Sequence, residues 1–181
     1  MSWERKTSKK IYENKFISLF DEEVKAPTGI KVNYGRVSFK RLAASVLIFK
    51  EDKILLVGQH RYPNNFYSWE TIQGGGELTD DPETIAKKEL KEEAKLEAIK
   101  LIKICETTTS NSVTDELAHL YFCDLDNATF SNERNPDDTE ELQLKWFGID
   151  EAIDLIHSNT IKDSLTQISI FFFKNKLFCS N

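Results

Sequence analysis

Three consecutive glycines, Gly74-Gly75-Gly76, run within a few residues into a helix start and then a set of helix-spaced acids. No other stretch constrains the fold as much. Glycine lets backbone approach a ligand or another element closely. Asp81 is a good N-cap and Pro82 suits a first helical position, so a helix is expected to open there. Within it Glu89, Glu92 and Glu93 stand at i, i+3 and i+4 and crowd one face. Like charges so spaced repel by roughly a few tenths of a kcal/mol per pair. Ala86, Leu90 and Ala94 form a stripe beside them, which implies a buried edge. Carboxylates against a buried edge need positive charge nearby. Lys87, Lys88, Lys91 and Lys95 supply it if the face is solvated. A hard divalent cation, which takes oxygen ligands, supplies it otherwise.

Gly74, Glu89, Leu90, Glu92, Glu93 and Leu96 match in register the Nudix box, in which a glycine, a glutamate and an Arg-Glu-x-x-Glu-Glu helix recur at fixed distances. The chain therefore resembles the Nudix hydrolases. Three positions depart from the pattern: Asp80 for Glu, Lys88 for Arg and Lys95 for Gly. Lysine lacks the two-bond fork of arginine, and Lys95 has to end the helix where glycine is cheapest. The resemblance implies Mg²⁺ as cofactor, with Mn²⁺ an alternative. Glu89 and Glu93 are then direct ligands. Glu92 is a ligand or a water-mediated one with a catalytic part, and the Gln73 carbonyl adds an oxygen. Lys88 holds the carboxylates, and Gly74 and Gly75 meet the substrate.

Upstream, Arg61-Tyr62-Pro63 and Trp69-Glu70 resemble the ADP-ribose and nucleotide-sugar pyrophosphatase branch. There Arg61 corresponds to a residue that holds the substrate diphosphate, a task suited to a planar fork of donors. Its other reading is a surface arginine. The polar loop 126–140 is long, as functional loops often are. In related enzymes an acid at its end is the general base, which here means Glu140 or Glu141, with Asp138 a weaker match. Glu116 either supports the metal site or begins a strand. His60, His119 and His157 have no ligand-spaced partners.

The remaining elements follow from pattern. Lys15–Val24 and Ile30–Phe39 flank the turn signal Pro27-Thr28-Gly29 and are expected as an N-terminal β-hairpin. Arg41–Phe49 is a near-continuous apolar run, expected as a buried strand, and Lys53–His60 returns from it. Trp69–Ile72 is a short strand entering a glycine loop, and 97–108, 115–125 and 142–147 are further strands. Asp150 is expected to cap a short helix to Ile156. A final helix over 162–176 has Leu165, Ile168, Phe172 and Phe173 as its apolar side. The implied fold is α+β, an α/β/α Nudix sandwich with a mixed sheet between helices. Residues 1–40 form the β extension and 41–181 the hydrolase domain. In this branch such an extension commonly crosses to a partner, which implies a homodimer.

The chain carries a net charge of −6 and no basic cluster, which argues against nucleic-acid binding. Three cysteines without Cys-x-x-Cys spacing point away from disulfides and zinc, and toward reduced thiols in a cytoplasm. No apolar run approaches membrane-spanning length. The expected reaction is Mg-dependent hydrolysis of a nucleoside diphosphate linked to X, ADP-ribose or a nucleotide sugar, giving a nucleoside monophosphate and a sugar phosphate. Two alternatives stand beside it: a Nudix enzyme acting on triphosphates or dinucleoside polyphosphates, and a sensor that binds nucleotide without cleaving it.

Overall fold

The structure, a computed structural model, describes residues 2–130 and 142–179. Its centre is β4 (Arg41–Lys50), the apolar run, in which Val46 and Ile48 face one way and Leu47 and Phe49 the other. Both faces are covered, which is why the strand shows no polar alternation. β4 pairs antiparallel with β5 (Lys53–Arg61) only around Ile48–Lys50. The two then part, and a second hairpin fills the gap. Its first strand, β6 (Phe66–Glu70), pairs with β5, and its second, β7 (Ile72–Glu77), pairs with β4.

After β7 comes α1 (Pro82–Ala94), with Asp81 as N-cap accepting from Thr84 N, as the sequence predicted. Lys95 closes it at φ +56°, a left-handed cap without glycine, and its N–H donates to the Leu90 carbonyl. The expected strand over 97–108 is two pieces, β8 (Leu96–Ala98) and β9 (Ile102–Thr108). β9 runs antiparallel to β10 (Leu117–Asp124), which lies parallel to β4. A 3₁₀ turn (Leu125–Asn127) leads to β11 (Ala128–Phe130), which pairs with β8. Then β12 (Gln143–Gly148) joins β5, followed by α2 (Ile149–His157) and α3 (Ser164–Cys179). The main sheet runs β12-β5-β4-β10-β9, mixed as expected.

Helix α1 packs Ile85, Ala86, Leu90 and Ala94 on one sheet face, against Val46, Val57, Ile72 and Tyr121. On the other, α2 and α3 bury Ala152, Ile170 and Phe173 against Leu47, Leu56 and Phe147. The result is the α/β/α sandwich. No helix of the described residues is long and apolar enough to cross a membrane.

Four local expectations need correcting. The N-terminal part is a three-stranded antiparallel sheet, because β1 (Glu4–Glu13) precedes β2 (Ile17–Lys25) and β3 (Lys31–Phe39). Every residue of β1 is exposed, so it carries no apolar period to read. Gly74–Gly76 are ladder residues of β7 rather than a loop. Gly148 is the N-cap of α2 and Asp150 lies in its first turn. In α3 Phe172 is 48% exposed, while Ile170 takes the buried place. Glu140, Glu141 and Asp138 lie outside the described residues.

The extension is fastened to the sandwich through β3. Val37 N donates to the Val113 carbonyl, and Asp115 accepts from Phe39 N, Ser38 Oγ and Arg36 Nη1. Arg36 also holds Glu22, which is buried in β2 and accepts from Ser8 Oγ as well. These bonds to Arg36 pull the Glu22 carboxyl below its ordinary range.

Candidate active site

The glycines of β7 are dictated by what lies against them. A Cβ added at Gly76 would sit 2.4 Å from Ile85 Cγ1, so only glycine lets β7 approach α1 this closely. At Gly74 the neighbour is functional: a Cβ there would lie 2.0 Å from Glu89 Cδ. The spacing between the glycines and the acids is thus a packing relation. Helix α1 delivers the Glu89 carboxylate onto the bare backbone of Gly74.

Glu89 is 8% exposed. No hydrogen bond to its carboxylate forms among the described residues. Burial pushes its pKa up and Glu92 adds to that, while Lys88 and Arg41 pull it down. Glu93 is half-buried with Oε2 sealed from solvent. Glu92 is more exposed and pairs with Lys88 at 3.5 Å. Among the described residues no three His, Cys, Asp or Glu side chains are gathered into a metal-holding group. The chemistry of the donors nevertheless fits a hard cation: a buried carboxylate without donors, on the same helix face as two more. Glu92 joins them only by leaving Lys88, and an exposed pair of this kind is worth about 1 kcal/mol or less.

Gly74 and Gly75 also line a cleft of about 850 Å³ between the extension and the sandwich. Arg61 lines it too, its guanidinium held by buried Glu70, with Nε 3.1 Å from both carboxylate oxygens and Nη2 2.5 Å from Oε2. Glu70 thus fixes the direction of this arginine, whose side chain keeps 36% exposure. Gln73 lines the same cleft, its Nε2 donating to Asp163 Oδ1 at 2.6 Å, so β7 is tied to the start of α3. Glu116 is there as well, accepting from Thr109 Oγ1 at 2.6 Å.

The aromatic residues of the extension separate. Phe16 and Phe39 line the cleft, whereas Tyr34 lines another hollow, edge-on to Trp3. Arg41, at the start of β4, was not foreseen as a site residue. It lines the cleft, 3.5 Å from the Gly75 carbonyl, 3.7 Å from Glu77 and 5.5 Å over the Phe16 ring. Its one signal in sequence was a charge opening an apolar run. His60 and His157 are exposed and outside the cleft. His119 is buried in β10 with Nδ1 3.6 Å from Glu106, and burial lowers its pKa.

The NUDIX domain model matches residues 39–167. ADP-ribose pyrophosphatase of Bacillus subtilis is 29% identical over 177 residues, covering 97% of this chain and 95% of that protein. GDP-mannose pyrophosphatase of Cronobacter sakazakii is 28% identical over 130 residues, 68% of each chain. A crystal structure described as an ADP compounds hydrolase superposes with a TM-score of 0.87 at 14% identity, over 100% of this chain and 97% of that one, a likeness of fold.

Proposed function

The chain belongs to the NUDIX domain family, and on that premise we propose that this hydrolase cleaves the diphosphate bond of a nucleoside diphosphate linked to a second group, X. ADP-ribose and nucleotide sugars are the substrates favoured, in keeping with the names of the relatives. One observation carries the reading. Arg61, Gly74 and Gly75 line a single cleft whose glycine backbone packs on the Glu89 carboxylate.

In this reading the Arg61 fork, fixed by Glu70, takes the diphosphate. Bare backbone at Gly74 and Gly75 lets the phosphates come close. Glu89, Glu93, Glu92 and the Gln73 carbonyl hold divalent metal, with Mg²⁺ the ion proposed. When bound it supplies charge for the phosphate oxygens and the attacking water. Water adds to one phosphorus, the bridging P–O bond breaks toward the other phosphate, and the proton passes to Glu140 or Glu141. The products are a nucleoside monophosphate and the phosphate of X. Phe16 and Phe39, which line the cleft, are the aromatic residues nearest a base bound there, with Arg41 over the Phe16 ring.

A second reading, a sensor that binds nucleotide without cleaving it, draws support from the Lys88–Glu92 pairing and the ungathered carboxylates. Chromatography of products from ADP-ribose, GDP-mannose, UDP-glucose, a dinucleoside tetraphosphate and nucleoside triphosphates in excess Mg²⁺ separates the two. Monophosphate from a diphosphate ester supports the hydrolase. Cleavage of triphosphates alone overturns the choice of substrate. A ligand that raises the melting temperature and is never cleaved favours the sensor.

A further inference from the structure

Only Thr71, Ile72 and Gln73 separate Glu70, which holds the Arg61 guanidinium, from Gly74, whose backbone carries the Glu89 carboxylate. Ile72 is buried with Val46 and Leu90 on the α1 side of the sheet. Its neighbours Thr71 and Gln73 turn to the opposite face, where the first turn of α3 meets both.

Asp163 precedes α3, and its Oδ1 accepts from Thr166 N at 2.8 Å, an N-cap bond. The same oxygen takes the Thr166 hydroxyl and the Gln73 amide, each at 2.6 Å. A carboxylate only accepts, so the single hydroxyl proton of Thr166 is committed to it. Thr166 Oγ1 is left to accept, and it does so from Thr71 N at 2.9 Å. Thr71 Oγ1 in turn accepts from Gln73 Nε2 at 3.0 Å and lies 2.7 Å from Ser45 Oγ on β4. Ser45, Thr71 and Thr166 are all 0% exposed, so these hydroxyls are shut off from solvent. Apolar side chains of the same shape would fill the space with little loss of stability. What the hydroxyls add is direction, because a connected buried network is satisfied in one arrangement of its members.

We infer that Asp163 and Thr166 are positioning residues for the proposed reaction, the first turn of α3 serving as a brace that sets Arg61 at its distance from Glu89. The inference rests on the diphosphatase reading above. Arg61 can hold a diphosphate while Glu89 is slightly displaced, but the reaction needs both in register. Loss of the brace therefore falls on kcat more than on KM.

Steady-state kinetics in excess Mg²⁺, on ADP-ribose or whichever ester of the panel is cleaved, tests this well below each variant's melting temperature. Thr166→Val keeps the shape and removes the hydroxyl, and kcat falls by about tenfold or more while KM changes less. Thr166→Ser, which keeps the hydroxyl, retains kcat. Gln73→Met leaves the Asp163 cap and the backbone carbonyl at 73 in place, yet lowers kcat by a similar factor. Both substitutions break one brace, so the double variant is no slower than the slower single one.

A folded Thr166→Val or Gln73→Met with wild-type kcat overturns the assignment. So does a Thr166→Ser as slow as Thr166→Val, a loss confined to KM, or losses that multiply in the double variant. If Thr166→Val fails to fold, Gln73→Met decides alone. A wild type that cleaves no ester of the panel overturns the diphosphatase reading itself, and the brace with it.

Discussion

At the scale of single residues, Gly74 and Gly76 make a matched pair for experiment. Both stand in β7 and both touch α1, but their neighbours differ in what can yield. At Gly76 a methyl meets Ile85 in the core, so Gly76→Ala costs about 1–3 kcal/mol by overpacking, read in urea unfolding. At Gly74 it meets the tip of a flexible Glu89 side chain. Gly74→Ala therefore folds with little loss of stability, yet displaces that carboxylate, and turnover falls on the order of 100-fold. Equal stability losses with unchanged turnover would contradict the packing relation between glycine and glutamate. That relation is why the box was legible: its spacing encodes one strand lying on one helix. Arg41 was not legible, because its role depends on Phe16 and Gly75 reaching it from other strands. Lys95 shows the reverse case, a departure from pattern that the backbone absorbs at φ +56°.

Among the elements, the strongly alternating or wholly apolar strands were readable and β1 was not. β4 announces itself because both faces are buried, whereas β1 is held by its ladder to β2 and by polar contacts such as Ser8–Glu22. Glu22 gives this sheet a pH dependence. Its hydrogen bonds to Arg36 depress the folded pKa, so the stabilisation is present above the ordinary carboxylate pKa and is lost as pH falls through the lower folded value. Glu22→Gln consequently costs about 2 kcal/mol at neutral pH, the range for hydrogen bonds to charged groups. The gap between variant and wild type closes in acid. Thermal unfolding across pH checks this, and a gap that persists below the folded pKa would count against it. The correction in α3, where Ile170 is buried and Phe172 is not, has a similar origin. That helix is apolar on several sides, so its periodicity did not choose a face.

For the whole molecule, the sandwich follows from local patterns joined by β4, which all three layers share. The association state does not follow in the same way. We expect a homodimer through the N-terminal sheet, whose strand β1 is exposed throughout and is bordered by Trp3, 55% exposed, with Tyr12 at 54%. Sedimentation then gives about twice the 20.9 kDa chain mass. A monomer at working concentration would remove that expectation while leaving the cleft intact. The central claim concerns the cleft: carboxylates of α1, delivered to the glycine backbone of β7, drive cleavage of a diphosphate bond. Its most direct test is the rate of AMP formation from ADP-ribose in excess Mg²⁺, measured side by side for wild type and Glu93→Gln. The expected result is AMP with ribose 5-phosphate from the wild type, and a loss of about 100-fold or more in a variant that keeps its melting temperature. A folded Glu93→Gln that turns over at the wild-type rate would contradict it.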